Sequence, residues 1–168
     1  MIDRSIWNNS MRGEAAYRIY LQMERNKNII LLTGDLGFKI FDRHREDFKN
    51  RFINCGASEQ AMLDTAIGIA LSGKIPVCYS ITPFLLYRPF EALRTYINHE
   101  HIPVKLIGSG RGKDYIHDGI SHWSEDDEAI MNTLPNIISC WPKDNENLIR
   151  VLPGLITNKF PVYINISR

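Results

Sequence analysis

A three-layer α/β/α domain with a mostly parallel sheet of about six strands is the fold class this sequence predicts, on three observations. Short apolar runs with almost no charge, "NIILLTG", "KIPVCYSI", "IPVKLIG" and "PVYINIS", recur along the chain. Segments with helical apolar spacing stand between them, and polar, often glycine-bearing segments follow the runs. Strands apolar on both faces belong to a sheet covered by helices, and strand–helix alternation builds such a sheet in parallel. With 168 residues, 44% of them hydrophobic, the chain can bury one core, so residues 1–168 are expected to form a single domain.

The first element is an amphipathic helix from about Met11: Ala15, Ala16, Ile19, Tyr20 and Met23 share one face, and Ser10 precedes them as an N-cap. "NIILLTG" is the first strand, ending at Gly34. "RFINCG" is strand-like and leads into a helix over 58–72. "KIPVCYSI" runs into a helix whose start, Thr82-Pro83, pairs a capping residue with proline at the first helical position. After "IPVKLIG" and a glycine-rich stretch, Ser124 is expected to cap "EDDEAIMNTL", whose acidic first turn suits the helix dipole. "NIISCW" and "PVYINIS" complete the strands, with a helix capped by Asp144 between them.

Composition excludes several functions. Lys and Arg number 20 against 19 Asp and Glu, so the chain lacks the electrostatic footprint of a nucleic-acid or membrane-surface binder. A small molecule or another protein is the expected partner. Cys55, Cys78 and Cys140 are scattered singly, as reduced thiols are. No basic segment followed by an apolar core opens the chain, and no apolar run approaches roughly 18 residues, so a cytoplasmic location is expected.

In parallel sheets ligands bind beyond the carboxyl ends of the strands. That rule selects "TGDLG", "CGASEQ", "ITPFLLYRPF", "GSGRGKDYIHDGISHW", "CWPKD" and Arg168. Familiar glycine motifs fail there. A P-loop ending at Gly112-Lys113 would need glycine at Ile107 and a hydroxyl residue at Asp114, and a dinucleotide fingerprint from Gly108 would need glycine at Lys113. "HEH" at 99–101 lacks the spacing of a helical zinc site, and no metal is expected on this chain's own residues. Glu59 stands at the mouth of an otherwise apolar helix. Alone, it reads as a first-turn glutamate offsetting the dipole. Phe84, Tyr87 and Phe90 recur every third residue after Thr82-Pro83, spacing that a core stripe would also produce.

Together, "GASEQAMLDTAIGIALSGKIPV", the aromatic series, "GDL" after the first strand and "Asp-Gly-x-x-His" at 118–122 resemble the pyrimidine-binding (Pyr) domain of transketolase-like thiamine diphosphate enzymes, including deoxyxylulose-phosphate synthase. The resemblance runs from the opening helix to Arg168. It implies the thiamine diphosphate-binding fold, with Glu59 as the carboxyl that hydrogen-bonds the cofactor's aminopyrimidine, favouring the imino tautomer that removes the proton from thiazolium C2. Such a carboxyl must sit in a dry place. Phe84, Tyr87 and Phe90 would pack around the pyrimidine, with Leu36 and Asp35 nearby. Pro83 interrupts the family's usual Thr-Phe pair. Asp118 and His122 fall on the acid and histidine that meet substrate hydroxyls, His122 also as a catalytic residue. Arg111 and Arg168 fall on arginines that hold substrate phosphate, for which the guanidinium fork is suited.

The family holds the diphosphate through Mg2+ or Ca2+ on a Gly-Asp-Gly…Asn motif carried by another domain, and this sequence has no such motif. The resemblance therefore implies one subunit of a split transketolase-like transferase, inactive without a partner chain that brings the metal and diphosphate site, in an α2β2 assembly acting on small sugars or sugar phosphates. Two alternatives stand beside it: a subunit of a split 2-keto acid decarboxylase or ligase, and a non-catalytic scaffold of the same fold.

Overall fold

The computed structural model describes residues 2–168. Helix α1 (Met11–Arg25) opens the domain proper, and Ser10 Oγ caps it by accepting from Gly13 N at 3.1 Å. The strands are β1 (Ile29–Thr33), β2 (Phe52–Asn54), β3 (Ile75–Ile81), β4 (Lys105–Ser109), β5 (Ile138–Cys140) and β6 (Val162–Ile166). They form one sheet in the order β2-β1-β3-β4-β6-β5, every pair parallel. Between them lie α2 (Asp42–Asp47), α3 (Glu59–Leu71), α4 (Thr82–Leu86), α5 (Phe90–Ala92, continued by a π-helical stretch over Leu93–His99), α6 (Asp127–Asn132) and α7 (Asn145–Thr157).

The expected α/β/α layering holds. On one face, α1 and α7 bury Ala15, Ala16, Ile19 and Met23 with Leu148, Leu152 and Ile156 over the sheet. On the other, α3, α5 and α6 bury Met62, Leu63, Ala66, Leu93 and Met131. The core strands read as apolar runs because helices cover both sides. Lys105 is the exception: it is 1% exposed, and its Nζ donates to Asn158 O at 3.0 Å, to Asn158 Oδ1 at 2.8 Å and to the Phe160 carbonyl. Burial lowers its pKa to about 8.

Two helix starts differ from the sequence reading. Thr82 is the first residue of α4, not its cap; Ile81 is the cap residue and Pro83 stands second. Thr82 Oγ1 instead donates to Gly110 O at 2.9 Å. Ser124 does not cap α6, which begins at Asp127, and Ser124 Oγ also donates to Gly110 O, at 2.8 Å. Both hydroxyls went to a strand-end carbonyl because the loop after β4 folds back between the two helices. Helix α2 had no counterpart in the sequence reading. It is too short to show a period, and it forms around His44, whose Nε2 lies 3.0 Å from Ala16 O inside a cage of Trp7, Tyr20, Phe41 and Phe48.

Along the sheet, β2 lies outside β1 on one side while β4 lies outside β3 on the other. The strand order therefore reverses between β1 and β3, the kind of point at which parallel sheets bind ligands beyond the strands' carboxyl ends.

Candidate functional site

Glu59 is the first residue of α3 and sits at that switch point. It is 2% exposed. Its carboxylate turns across the sheet: Oε1 accepts from Ser80 Oγ on β3 at 3.2 Å, and Oε2 accepts from Arg88 Nη1 at 2.7 Å. Gly34, one residue past β1, makes room, since a Cβ there would stand 2.9 Å from Oε1. Ser58, the cap residue, makes no side-chain capping bond. A glutamate serving only the helix dipole would not need a niche between two strands.

Phe84 forms the next wall. Its ring carries the Arg88 guanidinium 3.8 Å above its centroid, and the His122 ring stands at 4.9 Å in an edge arrangement. His122 in turn lies 6.0 Å from Tyr115, and Arg168 sits 5.0 Å over the Tyr115 ring. His122 Nδ1 is 2.9 Å from Ser121 Oγ. Glu59, Arg88, Phe84, His122, Tyr115 and Arg168 thus form one continuous line of contacts, reaching from a buried acid to an exposed base. Gly110, at φ 94, allows this, because a Cβ there would stand 2.3 Å from the Tyr115 ring.

The other sequence candidates occupy different positions. Tyr87 is 36% exposed and its hydroxyl donates to Asp126 near the start of α6. Burial and then the Asp126 carboxylate push its phenol pKa up. Phe90 is half-buried against the core under α3 and α5, in keeping with a core stripe. Leu36 packs on the α1–α7 core and lines a small cleft with Phe41 and Phe52. Asp35 is exposed at φ 57 and clasps Asn54 reciprocally: its N–H donates to Asn54 Oδ1 at 3.0 Å, and Asn54 Nδ2 donates to its Oδ1 at 3.0 Å. That clasp ties the ends of β1 and β2. Asp118 is exposed on a 3-10 turn over Ile116–Asp118. Arg111 directs Nη2 to the carbonyls of Pro142, at 3.0 Å, and Asn165, at 2.7 Å, bracing the loop.

Sequence reasoning missed Ser80, Arg88 and Tyr115. Arg88 carried a signal, since it stands four residues after Phe84, the spacing that brings two side chains together on a helical turn. Ser80 had none, lying within an apolar run. A second buried acid adjoins the site: Asp127 Oδ2 accepts from Trp141 Nε1 at 2.8 Å, Tyr163 OH at 2.8 Å and Asn165 Nδ2 at 2.6 Å.

Chemically, the site offers a buried carboxyl and a flat aromatic ring bridged by one guanidinium, followed by a histidine and an outlying arginine. A planar nitrogenous ring can stack on Phe84 while hydrogen-bonding Glu59. No helix among the described residues is long and apolar enough to cross a membrane.

Comparison with known proteins points the same way. The family described as transketolase, pyrimidine binding domain, matches residues 11–168. A Methanocaldococcus jannaschii protein named as a transketolase C-terminal section is 31% identical over 146 residues, covering 86% of this chain and 46% of its own length. One subunit of the apulose-4-phosphate transketolase of Actinobacillus succinogenes is 31% identical over 122 residues, covering 73% of this chain and 39% of that protein. Among solved structures, a split gene transketolase described as an inactive beta4 tetramer superposes with a TM-score of 0.84 at 26% identity, covering 96% of this chain and 52% of that one. The chain spans about half or less of the length of these relatives. A match over nearly the whole chain, with six parallel strands in the same layering, means that this chain belongs to the transketolase pyrimidine-binding domain family.

Proposed function

We propose that this chain is the pyrimidine-binding subunit of a split thiamine diphosphate-dependent transketolase-like enzyme that moves a two-carbon ketol unit between sugars or sugar phosphates. The observation that carries the reading is the buried Glu59 carboxylate, joined to the face of Phe84 by one planar group, the Arg88 guanidinium, that touches both. The residues fit the cofactor's pyrimidine end. A flat group that stacks on Phe84 and hydrogen-bonds Glu59 Oε2 is already accommodated there, in the form of the Arg88 guanidinium. Thiamine diphosphate, when bound, supplies a nucleophilic carbon and an electron sink.

The chain's own part is proton placement and orientation. Ser80 fixes Oε1, so Oε2 is the oxygen that meets the ligand. The buried Glu59 carboxyl would hold a proton at Oε2 for a ring nitrogen of the cofactor, since burial disfavours its charged form. Phe84 would stack on the ring, and His122, 4.9 Å from Phe84, is assigned to exchange a proton with a substrate hydroxyl. Arg168, at the exposed end of the line, suits an anionic group on the substrate. Asp118, on the same loop as His122, is assigned to a substrate hydroxyl. Asp35, Tyr87 and Arg111 brace the loops that frame the site, and Leu36 and Phe90 pack on the two cores beneath it.

Support for a partner chain comes from the names of the relatives, one a transketolase subunit and another a C-terminal section. Phe38, 67% exposed, Ile116, 57%, and Ile120, 79%, also stand on the loops flanking the site, as apolar groups awaiting a protein surface do. The partner is assigned the Gly-Asp-Gly…Asn motif with Mg2+ or Ca2+, in an α2β2 assembly. Co-expression with such a chain, followed by titration of thiamine diphosphate with Mg2+ and assay against a panel of ketose donors, tests the reading. Donor cleavage that requires both chains is expected. Tight cofactor binding by this chain alone would sink the split-subunit part, and cleavage of 2-keto acids in place of ketoses would move the activity to the decarboxylases.

A further inference from the structure

We infer that Arg88 is an internal ligand that closes the pyrimidine site, so that the cofactor's ring must displace it in order to bind. The inference rests on the assignment of that site to an aminopyrimidine and adds how access to it is controlled.

The geometry is that of a bound ligand supplied by the chain itself. The guanidinium is planar, as an aminopyrimidine is, and it points an N–H at Glu59 Oε2 as a ring nitrogen does when it carries the shared proton. It makes both contacts such a ring would need, the hydrogen bond to Glu59 Oε2 at 2.7 Å and the stack on Phe84 at 3.8 Å. A second ring cannot take either place while Arg88 holds them. The two partners of the ion pair differ in freedom. The Glu59 side chain is 1% exposed and pinned by Ser80, whereas the Arg88 side chain is 48% exposed. Arg88 follows the C-cap residue of α4 and precedes Pro89, so it lies in the break between α4 and α5. Its departure costs no core packing. The exposed partner is therefore the one that leaves.

An internal ligand weakens an external one by the fraction of time the site stands open, so a site open a tenth of the time binds about tenfold more weakly. Removing the guanidinium should restore that factor.

The experiment uses the full chain in complex with its diphosphate-binding partner and isothermal titration with 4-amino-5-hydroxymethyl-2-methylpyrimidine and with thiamine. Arg88→Ala should bind both at least about tenfold more tightly than the unaltered chain. Because Arg88→Ala strands a buried carboxylate, Arg88→Lys is measured alongside it; it keeps a cation but not the flat stack, and should fall between the two. Glu59→Gln should remove the binding in each background. Glu59-dependent binding that is equal or weaker in Arg88→Ala and Arg88→Lys overturns the displacement and leaves the site assignment standing. Absence of Glu59-dependent binding in every variant overturns the site assignment and the displacement with it.

Discussion

Two buried carboxylates stand near the carboxyl ends of the strands, and they are held in opposite ways. Asp127 Oδ2 accepts from Trp141, Tyr163 and Asn165, and Tyr163 and Asn165 are themselves fully buried. Glu59 has one fixed donor, Ser80, and one half-exposed cation, Arg88. A buried acid must be hydrogen-bonded to persist, and both meet that requirement. Asp127 meets it with three neutral donors on or just past β5 and β6, two of them fully buried. Glu59 meets it with a partner that solvent would accept. Burial alone therefore does not separate the two acids; the freedom of their partners does.

The largest effect that would test this contrast is on catalysis. In the complex reconstituted with a diphosphate-binding partner, Glu59→Gln should lower kcat by about 10²–10⁴, the usual worth of a positioned acid or base, with little change in the urea midpoint. A variant that kept most of its turnover would place Glu59 with Asp127 as a structural acid.

Asp127→Ala should show the reverse pattern. It takes the carboxylate acceptor from Tyr163 and Trp141, while Asn165 Nδ2 keeps Thr82 Oγ1 and Gly110 O; with each unsatisfied buried group costing about 1–3 kcal/mol, a loss near 3 kcal/mol in urea unfolding is expected. Cofactor binding by the folded fraction should change little. A selective loss of binding at unchanged stability would erase the distinction.

Acid sensitivity follows from a third buried group, away from both carboxylates. His44 is caged by aromatics, and burial lowers its pKa from 6.5 to about 3. As pH falls, the unfolded chain takes up the proton first, so the stability present above pH 6.5 is lost as pH drops toward about 3. The slope from this residue should be about 1.4 kcal/mol per pH unit, and His44→Gln should remove it in urea melts at pH 5 and pH 7. An unchanged slope would return the acid sensitivity to the carboxylates.

The smallest expected effect concerns the wall of the site. Phe84→Leu keeps an apolar surface but loses the flat ring, and should weaken pyrimidine binding by about 1 kcal/mol, measured by titration of the assembled complex. Phe90→Leu, a core change, should instead lower stability and leave that affinity alone.

Much of the fold was legible in the residues. The apolar runs, the Ser10 and Asp144 caps and the strand–helix alternation are local signals, and each corresponds to an observed element. Thr82 and Ser124 misled, because a hydroxyl before a helical run reads as a cap while both instead reach Gly110 O, contributed by a distant loop. Of the site, Glu59, Phe84, His122 and Arg168 were named from motif resemblance, and the structure brings them into one line of contacts. Asp35 and Arg111, named with them, spend polar groups on Asn54 and on backbone carbonyls, partners that sequence spacing does not reveal.

The sequence by itself determined the layering and the position of the acid, because hydrophobic period and helix starts are written within a few residues of one another. Only the tertiary structure decided who holds that acid. Ser80, Arg88 and Gly34 come to Glu59 from three separate segments, two of them strand ends on either side of the switch point, and contacts between distant segments leave no period in the chain to be read.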